Sequence, residues 1–142
     1  MPLWVMVELM SFSDISKLYC AMYYSEKKTI SDAVGVSMQT LENHLHCLSV
    51  LRNKCAHAVR LYNTEFNPPA HFTTTFLKKN PEVKNNSLFA YSLVLLKRLL
   101  DSGSKKNFVD ALNVVIDQYN GDINMSLIGF PPKYKQILLN NL

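Results

Sequence analysis

The stretch SMQTLENHLHCLSVLRNKCAHAVRLYN, residues 37–63, decides the fold of this chain. Ser37 is a suitable N-cap, and neither Gly nor Pro interrupts the sequence between that serine and Pro68. Apolar residues recur in it at helical spacing, which predicts one long helix with a buried stripe that reaches Tyr62. The other members of the stripe are Leu41, Leu45, Leu48, Leu51 and Cys55.

The rest of the chain has the same helical periodicity, and no run alternates strictly between apolar and polar residues. We therefore expect an all-α fold. The predicted helices cover about residues 2–10, 13–24 with Ser13 as N-cap, 29–34 ending at Gly35, 87–100, 105–119 and a short terminal helix through Ile137 and Leu138. Gly103 is expected to separate two of them, and residues 67–86 are expected to be irregular.

Length and composition limit the class of protein. The 142 residues suit one domain over residues 1–142 with one core, and 48% hydrophobic against 18% charged residues excludes disorder. No uncharged stretch reaches the roughly 20 apolar residues of a membrane-spanning helix, so we predict no membrane contact. The apolar start lacks a basic segment and is not a signal peptide.

Charge and cysteines indicate the compartment and the partners. Fifteen Lys and Arg against eleven Asp and Glu give a net charge of +4, which permits a polyanionic partner without requiring one. The chain has an odd number of cysteines, and none of them shows CxxC spacing: Cys20, Cys47 and Cys55. We expect them to be reduced, buried thiols of a cytoplasmic protein.

The segment LRNKCAHAVRLYN, residues 51–63, concentrates polar side chains. On an ideal helix Asn53, His57 and Arg60 share one face, while Leu48, Leu51, Cys55 and Val59 lie opposite and can pack inward. Arg52 lies about 140° from His57, but its long side chain can wrap toward the same face. Residues 52–60 contain three cations and no acid.

Such a set suits the cleavage of RNA, which carries its own nucleophile in the ribose 2′-OH. An imidazole, with an ordinary pKa of about 6.5, exchanges protons near neutral pH. A guanidinium can hold a phosphate and stabilise its added negative charge. An asparagine can orient these groups without adding charge. None of these roles needs a metal.

The same residues resemble a known family. The string Arg52-Asn53-Lys54-Cys55-Ala56-His57 is similar to the R-x4-H motif of HEPN ribonuclease domains. The longer string LRNKCAHAVRLYN, with the upstream block PLWVMVELMSFSDISKLY (residues 2–19), resembles the Abi-like proteins of bacterial abortive-infection systems, the AbiD/AbiF group. The resemblance covers about residues 2–63. Abi-like proteins usually have a further helical region ahead of this block, so we expect a fragment or a minimal member.

The resemblance implies an all-helical HEPN-like bundle, usually a homodimer in which two motifs meet. It implies a toxin-like endoribonuclease of phage defence that needs no metal or cofactor and leaves a 2′,3′-cyclic phosphate and a 5′-hydroxyl. Arg52 and His57 would be catalytic, with Asn53 as a polar helper. RNA and a second copy would be partners, with an antitoxin or another regulatory protein as a further one. The residues expected to contact RNA are Glu8, Lys54, Arg60 and Asn63.

Other interpretations stay open. Arg52 and His57 can simply complement the dipole of a helix C-terminus. Residues 29–48 read like a helix-turn-helix of a DNA-binding regulator, although residues 29–51 contain no Lys or Arg to contact phosphates. A third alternative is a non-catalytic HEPN module that binds RNA or protein.

Two further patterns carry little chemistry. His44 and His46 point in different directions on a helix and cannot easily share a metal. Ser11, Ser13 and Ser16 near Asp14 lack a nucleophile elbow, so we dismiss a hydrolase. The lysines and arginine at positions 78, 79, 84, 97, 98, 105 and 106 are expected to be surface residues or to guide an RNA backbone.

Overall fold

The computed structural model describes residues 2–142, apart from the side chains of Leu3 and Trp4. Its elements are α1 (Leu3–Leu9), α2 (Phe12–Ala21), α3 (Tyr24–Ala33), α4 (Met38–Ala56), α5 (Thr74–Lys79), α6 (Leu88–Arg98), α7 (Ser102–Gln118), a 3₁₀ turn (Met125–Ile128) and α8 (Tyr134–Leu139). No strand occurs in this described range, and the predicted all-α fold is confirmed.

The chain separates into two compact units, with the boundary between Val59 and Arg60. We call the part up to Val59 the first unit and residues 60–142 the second unit. The first unit contains α1 to α4, and the second contains α5 to α8. A single domain over residues 1–142 stays a prediction.

In the first unit, α2 and α3 pack against the long helix α4. The interior is partly polar. Among the residues of this unit whose side chains the structure describes, the buried hydrophobic ones are Tyr19, Leu41 and Cys47, and the buried polar ones are Ser16, Ser31, His44 and Ser49. These described side chains bury little apolar area and gain little from the hydrophobic effect.

Helix α2 begins earlier than the sequence analysis predicts. Ser11 is its N-cap instead of Ser13, because Ser11 and Asp14 form a capping box. The Asp14 N–H donates to Ser11 Oγ at 3.2 Å, and Asp14 Oδ2 accepts from the Ser11 hydroxyl at 2.6 Å. These hydrogen bonds hold the pKa of the Asp14 carboxyl below its ordinary value.

Helix α3 also begins earlier than predicted, at Tyr24 instead of near Thr29. It ends as expected at Gly35, whose φ of 68° is a conformation that glycine adopts without strain. The Gly35 N–H donates to Asp32 O and the Val36 N–H to Ser31 O, both at 3.1 Å. This pair of hydrogen bonds is a Schellman motif.

Helix α4 begins as predicted, with Ser37 Oγ accepting from the Thr40 N–H. It ends at Ala56, however, so the prediction of a helix that continues to Tyr62 is wrong. The Ala58 N–H donates to Cys55 O at 3.2 Å and the Val59 N–H to Lys54 O at 2.9 Å. This is a second Schellman motif, built without glycine, and Ala58 occupies its left-handed position with φ of 50°.

The second unit contains a large apolar core with α6 at its centre. Ser87 caps α6, and Phe89, Leu93 and Leu96 on it are fully buried. Around them pack Val109, Ile116, Ile128, Phe130, Ile137 and Leu138. Asp101 caps α7, so Gly103 lies inside the first turn of that helix and does not separate the two helices.

The cysteines differ from the prediction in their burial. Cys47 is fully buried, whereas Cys20 on α2 and Cys55 in the last turn of α4 are exposed. All three are free thiols. Within residues 2–142, no helix combines the length and the apolar character that crossing a membrane requires.

Candidate active site

The last two turns of α4 carry the three residues for which the sequence predicts catalysis. Arg52 and His57 are exposed, and Asn53 between them is half-buried. His57 follows Arg52 by five positions, which corresponds to a rise of about 7.5 Å along the helix axis. An arginine and a histidine thus face solvent at one end of the helix.

Asn53 connects the exposed arginine to the interior of the first unit. Its Oδ1 accepts a hydrogen bond from Arg52 Nη1 at 3.3 Å. Its Nδ2 donates to the hydroxyl of Ser13 on α2 at 3.2 Å. The amide therefore uses its acceptor for the arginine and one donor for the neighbouring helix.

Two serines extend this chain of hydrogen bonds. The hydroxyls of Ser13 and Ser49 lie 2.6 Å apart and share a hydrogen bond between α2 and α4. Ser49 is buried and Ser13 is half-buried, so water competes little for these groups. The relay Ser49–Ser13–Asn53–Arg52 thus holds a charged side chain at the surface by contacts that begin in the interior.

His57 is the C-cap of α4. Its backbone N–H donates to Asn53 O at 3.0 Å, which closes the last turn of the helix. In the described part of the chain, no hydrogen bond joins its imidazole to the side chains of Arg52 or Asn53. The ring is exposed and available to an incoming group.

The charges around the motif are positive. Arg52 makes no ion pair among the described residues, and Lys54, half-buried, stands in the last turn of α4. Cations at a helix C-terminus interact favourably with its dipole, by about 0.3–1 kcal/mol. The cations can stabilise the helix in this way and also act on a bound substrate.

The structure does not place Arg60 on the face of Asn53 and His57, and that prediction is wrong. The Schellman motif ends α4 before Arg60, which belongs to the second unit together with Asn63. Both are exposed, and Asn63 has a φ of 49°.

The predicted inward face is also only partly correct. Leu48 and Leu51 are half-buried, but Cys55 is exposed, and Val59 is 46% exposed beyond the end of the helix. Tyr62 is exposed as well, and its hydroxyl accepts from the Asn124 N–H at 3.2 Å. Tyr62 therefore makes a contact within the second unit and is not part of the buried stripe of α4.

Glu8 lies on α1 and is exposed. No hydrogen bond or ion pair joins it to Arg52, Asn53 or His57 among the described residues. Its contact with RNA stays a prediction, as do those of Lys54, Arg60 and Asn63.

The competing patterns have structural explanations. His44 is buried and His46 exposed, so they lie on different sides of α4, and residues 2–142 show no group of three or more His, Cys, Asp or Glu that could hold a metal. Ser11 and Asp14 form the capping box described above. Helices α3 and α4 with the turn at Gly35 have the order of a helix-turn-helix, but α4 runs on to Ala56 and carries its cations only in the last turns.

Sequence reasoning missed Ser13 and Ser49 as parts of the site. Ser13 stands 40 positions before Asn53, and only the packing of α2 on α4 brings the two together. No local spacing signals such a contact. The signal that exists is the position of Ser13 inside the upstream block of the family resemblance.

Comparison with known proteins supports that resemblance. Residues 1–63 match the model of a family described as Abi-like protein, so the predicted resemblance is confirmed for this part of the chain. The match includes Arg52, Asn53 and His57 together with both serines of the relay. No curated protein and no solved structure matches the chain.

Proposed function

We propose, on the premise that residues 1–63 are those of an Abi-like protein, that this chain is an endoribonuclease of the HEPN type in a bacterial abortive-infection system. In this proposal Arg52 and His57 touch the scissile phosphodiester, and Asn53 orients Arg52. Cleavage uses the ribose 2′-OH as nucleophile. A metal enters none of the steps.

The observation that carries the proposal is the exposed arginine and histidine at one helix end, with the arginine held by Asn53. A guanidinium has five N–H donors, and the contact with Asn53 uses one of them. The remaining donors can take two phosphate oxygens in a bidentate contact. A side chain that is already oriented loses less conformational entropy when it binds.

In the first step, the imidazole of His57 accepts the proton of the 2′-OH. The 2′-oxygen then forms a bond to phosphorus, and negative charge accumulates on the non-bridging oxygens. The guanidinium of Arg52 stabilises this charge. His57 is now an imidazolium, so the proton stays available at the site.

In the second step, the bond between phosphorus and the 5′-oxygen breaks. The leaving oxygen takes a proton from the imidazolium of His57 or from that of a second copy. The products are a 2′,3′-cyclic phosphate and a 5′-hydroxyl. When His57 itself donates, it returns to its neutral form and the protons balance. When the imidazolium of the second copy donates, that ring becomes neutral, His57 stays protonated, and His57 releases a proton to water while the other ring takes one up before the next turnover.

A homodimer is part of the proposal. The first unit buries few apolar residues, yet α1 and α2 line an apolar hollow of about 520 Å³ with Met6, Leu9, Met10 and Leu18. Leu9 is 75% exposed there. Contiguous exposed apolar surface commonly marks an interface. A second copy that covers this hollow would bury it and bring two motifs into one assembly.

Cellular RNA is the proposed substrate, and an antitoxin or another regulatory protein is the proposed restraint. Unregulated cleavage of RNA would harm the host cell, which is why a toxin-like enzyme needs a partner that controls it. The mildly basic charge of +4 is compatible with a polyanionic substrate.

The test compares the cleavage of mixed cellular RNA in EDTA by the native chain, His57→Ala and Arg52→Ala. His46→Ala is the matched control, because His46 is an exposed histidine of the same helix outside the motif. We expect both motif variants to lose cleavage by at least about 100-fold, the lower range of general acid–base catalysis. The control should retain it.

Unimpaired cleavage by both motif variants would contradict the assignment. RNA binding without cleavage by the native chain would identify a non-catalytic module instead. Specific binding of duplex DNA would identify the regulator that the order of α3, turn and α4 resembles.

A further inference from the structure

The second unit contains a polar pocket that the motif on α4 does not use. It lies between α5 and α8 and has a volume of about 610 Å³. Small-molecule sites in proteins usually measure about 300–1,000 Å³, so the pocket is large enough for a bound group.

The charge at the rim of this pocket is positive. Lys79 at the end of α5 and Lys133 just before α8 both line it and are exposed, and Glu82 is the one acid among its lining residues. Neither lysine forms an ion pair in the described part of the chain. Lys135, two residues beyond Lys133, is in contrast paired with Asp117 at 3.3 Å. The two rim lysines are therefore free to take an anion.

A third cation stands behind the pocket wall. Lys97 Nζ donates to Asn141 Oδ1 at 2.6 Å and lies 5.2 Å from the centre of the Phe76 ring, and both of these residues line the pocket. Burial lowers the pKa of Lys97, and the nearby charges of Arg98 and Lys105 add to this effect. Two of the three lysines line the pocket and the third contacts two of its lining residues, and none of them forms an ion pair among the described residues, which gives the pocket a positive potential.

The pocket also offers neutral hydrogen-bonding groups. The amide of Asn141 is fixed, because it donates to Ile137 O at 2.7 Å and accepts from Lys97. The side-chain amides of Gln136 and Asn140 make no hydrogen bond within the described residues and are exposed. A free carboxamide provides both donors and an acceptor, which is the pattern that a nucleobase edge requires.

We propose that this pocket binds one nucleotide of a single-stranded RNA. The ammonium groups of Lys79 and Lys133 contact its phosphate, and the carboxamides of Gln136 and Asn140 contact its base edge. The inference rests on the proposed function for the choice of RNA, and it adds an RNA contact outside the motif of Arg52 and His57. Phe76 also lines the pocket, but the centre of its ring already lies 4.9 Å from that of the Phe72 ring and 5.2 Å from Lys97 Nζ, so stacking of the base on it is no part of the proposal.

The test measures the binding of a fluorescent single-stranded RNA by anisotropy, at several salt concentrations. The full chain with His57→Ala is used, so that the RNA stays intact. In this background the pocket variant Lys79→Gln/Lys133→Gln is compared with Lys28→Gln/Lys135→Gln. The second pair is the matched control, because it removes the same charge from exposed lysines that are paired with Asp32 and Asp117 and do not line the pocket.

We expect the pocket variant to lose affinity by at least about 10-fold, as for charged hydrogen bonds that are removed. The slope of log K against log salt should fall by about 1.4, which corresponds to two lost contacts with single-stranded RNA. The control pair should change affinity by less than about threefold. Gln136→Ala/Asn140→Ala should weaken binding without changing the salt slope.

Equal losses in the pocket and control pairs would overturn the inference, because net charge alone would then explain the binding. The outcome is separable from that of the proposed function. If the native chain cuts RNA but the pocket and control pairs lose equal RNA affinity, the proposed activity holds and the RNA site in the pocket does not. If the native chain does not cut RNA but the pocket pair alone loses affinity, the RNA site holds and the proposed activity does not.

Discussion

At the scale of single residues, the functional chemistry depends on how a flexible arginine is held. A free arginine at a helix end loses side-chain entropy whenever it orders against a phosphate, a cost of up to about 2 kcal/mol. The contact between Arg52 and Asn53, supported by Ser13 and Ser49, restricts the guanidinium before substrate arrives. The buried end of the relay can therefore influence a reaction at the surface.

The relay predicts a positioning role for Ser13. Ser13→Ala removes the acceptor of Asn53 Nδ2, so we expect single-turnover RNA cleavage to slow by about 3- to 10-fold, equivalent to a net hydrogen bond of about 1 kcal/mol. Ser13→Thr keeps the hydroxyl and should recover most of the rate. Thermal unfolding of both variants serves as the control for stability.

A structural role alone would lower the unfolding temperature of Ser13→Ala and leave the cleavage rate of the folded protein unchanged. That result would contradict the positioning role, as would a Ser13→Thr variant that is as slow as Ser13→Ala.

At the scale of elements, the two Schellman motifs differ in the residue at the left-handed position. Gly35 ends α3 and Ala58 ends α4, with φ of 68° and 50°. An alanine in this region experiences steric repulsion between its Cβ and the backbone, at a cost of roughly 1–2 kcal/mol. The turn that positions His57 therefore contains local strain that the turn after α3 lacks.

We expect Ala58→Gly to raise the free energy of unfolding of the first unit by about 1 kcal/mol, since glycine relieves the left-handed strain. Ala56→Gly is the matched control, because Ala56 is the last residue of α4 and glycine in a helix costs roughly 0.5–1 kcal/mol. Urea denaturation, followed by circular dichroism, measures both. Equal destabilisation by the two variants would contradict the left-handed conformation of Ala58.

The same two turns explain what the sequence could and could not predict. The end of α3 was predictable, because Gly35 is the residue that such a turn favours. The end of α4 was not, because Ala58 has high helix propensity and residues 57–63 keep a helical pattern. The placement of Arg60 failed for this reason. The contact between Ser13 and Asn53 was not predictable either, since it joins distant positions through packing.

The N-terminus of α2 has a sequence signal that the predicted start of this helix does not take into account. Ser11 followed by Asp14 is close to the capping-box pattern, whereas the sequence analysis assigns the N-cap of this helix to Ser13. The Schellman motif after α4 and the capping box of α2 both show that apolar periodicity alone does not predict where a helix begins or ends. Element type was correct for α2, α3, α4, α6 and α7, while their ends depended on single side chains. The prediction that residues 67–86 are irregular is wrong for α5, which lies within that range.

At the scale of the whole molecule, the two units differ in how much apolar surface they bury. The second unit has a core of ten buried hydrophobic residues around α6, whereas the described side chains of the first unit include three buried hydrophobic ones, Tyr19, Leu41 and Cys47. A unit with few buried hydrophobic residues gains stability when a partner covers its exposed apolar face. This imbalance favours the proposed homodimer through α1 and α2.

The dimer proposal predicts that Leu9→Glu separates the copies and reduces RNA cleavage. Leu100→Glu is the control, because Leu100 is a 92% exposed leucine of the second unit. Sedimentation velocity should show the monomer mass for Leu9→Glu and the dimer mass for the control. A dimer that persists in Leu9→Glu would contradict an interface at this hollow.

In the proposed mechanism His57 takes the 2′-OH proton during RNA cleavage, and the chemistry of the product ends reports on this step. RNA is incubated with the native chain or with His57→Ala in EDTA, and the new termini are identified by enzymatic end-group analysis. We expect 2′,3′-cyclic phosphate and 5′-hydroxyl ends that appear with the native chain and are absent with the variant. Cleavage that leaves 5′-phosphate and 3′-hydroxyl ends, or cyclic phosphate ends that persist in His57→Ala, would contradict this mechanism.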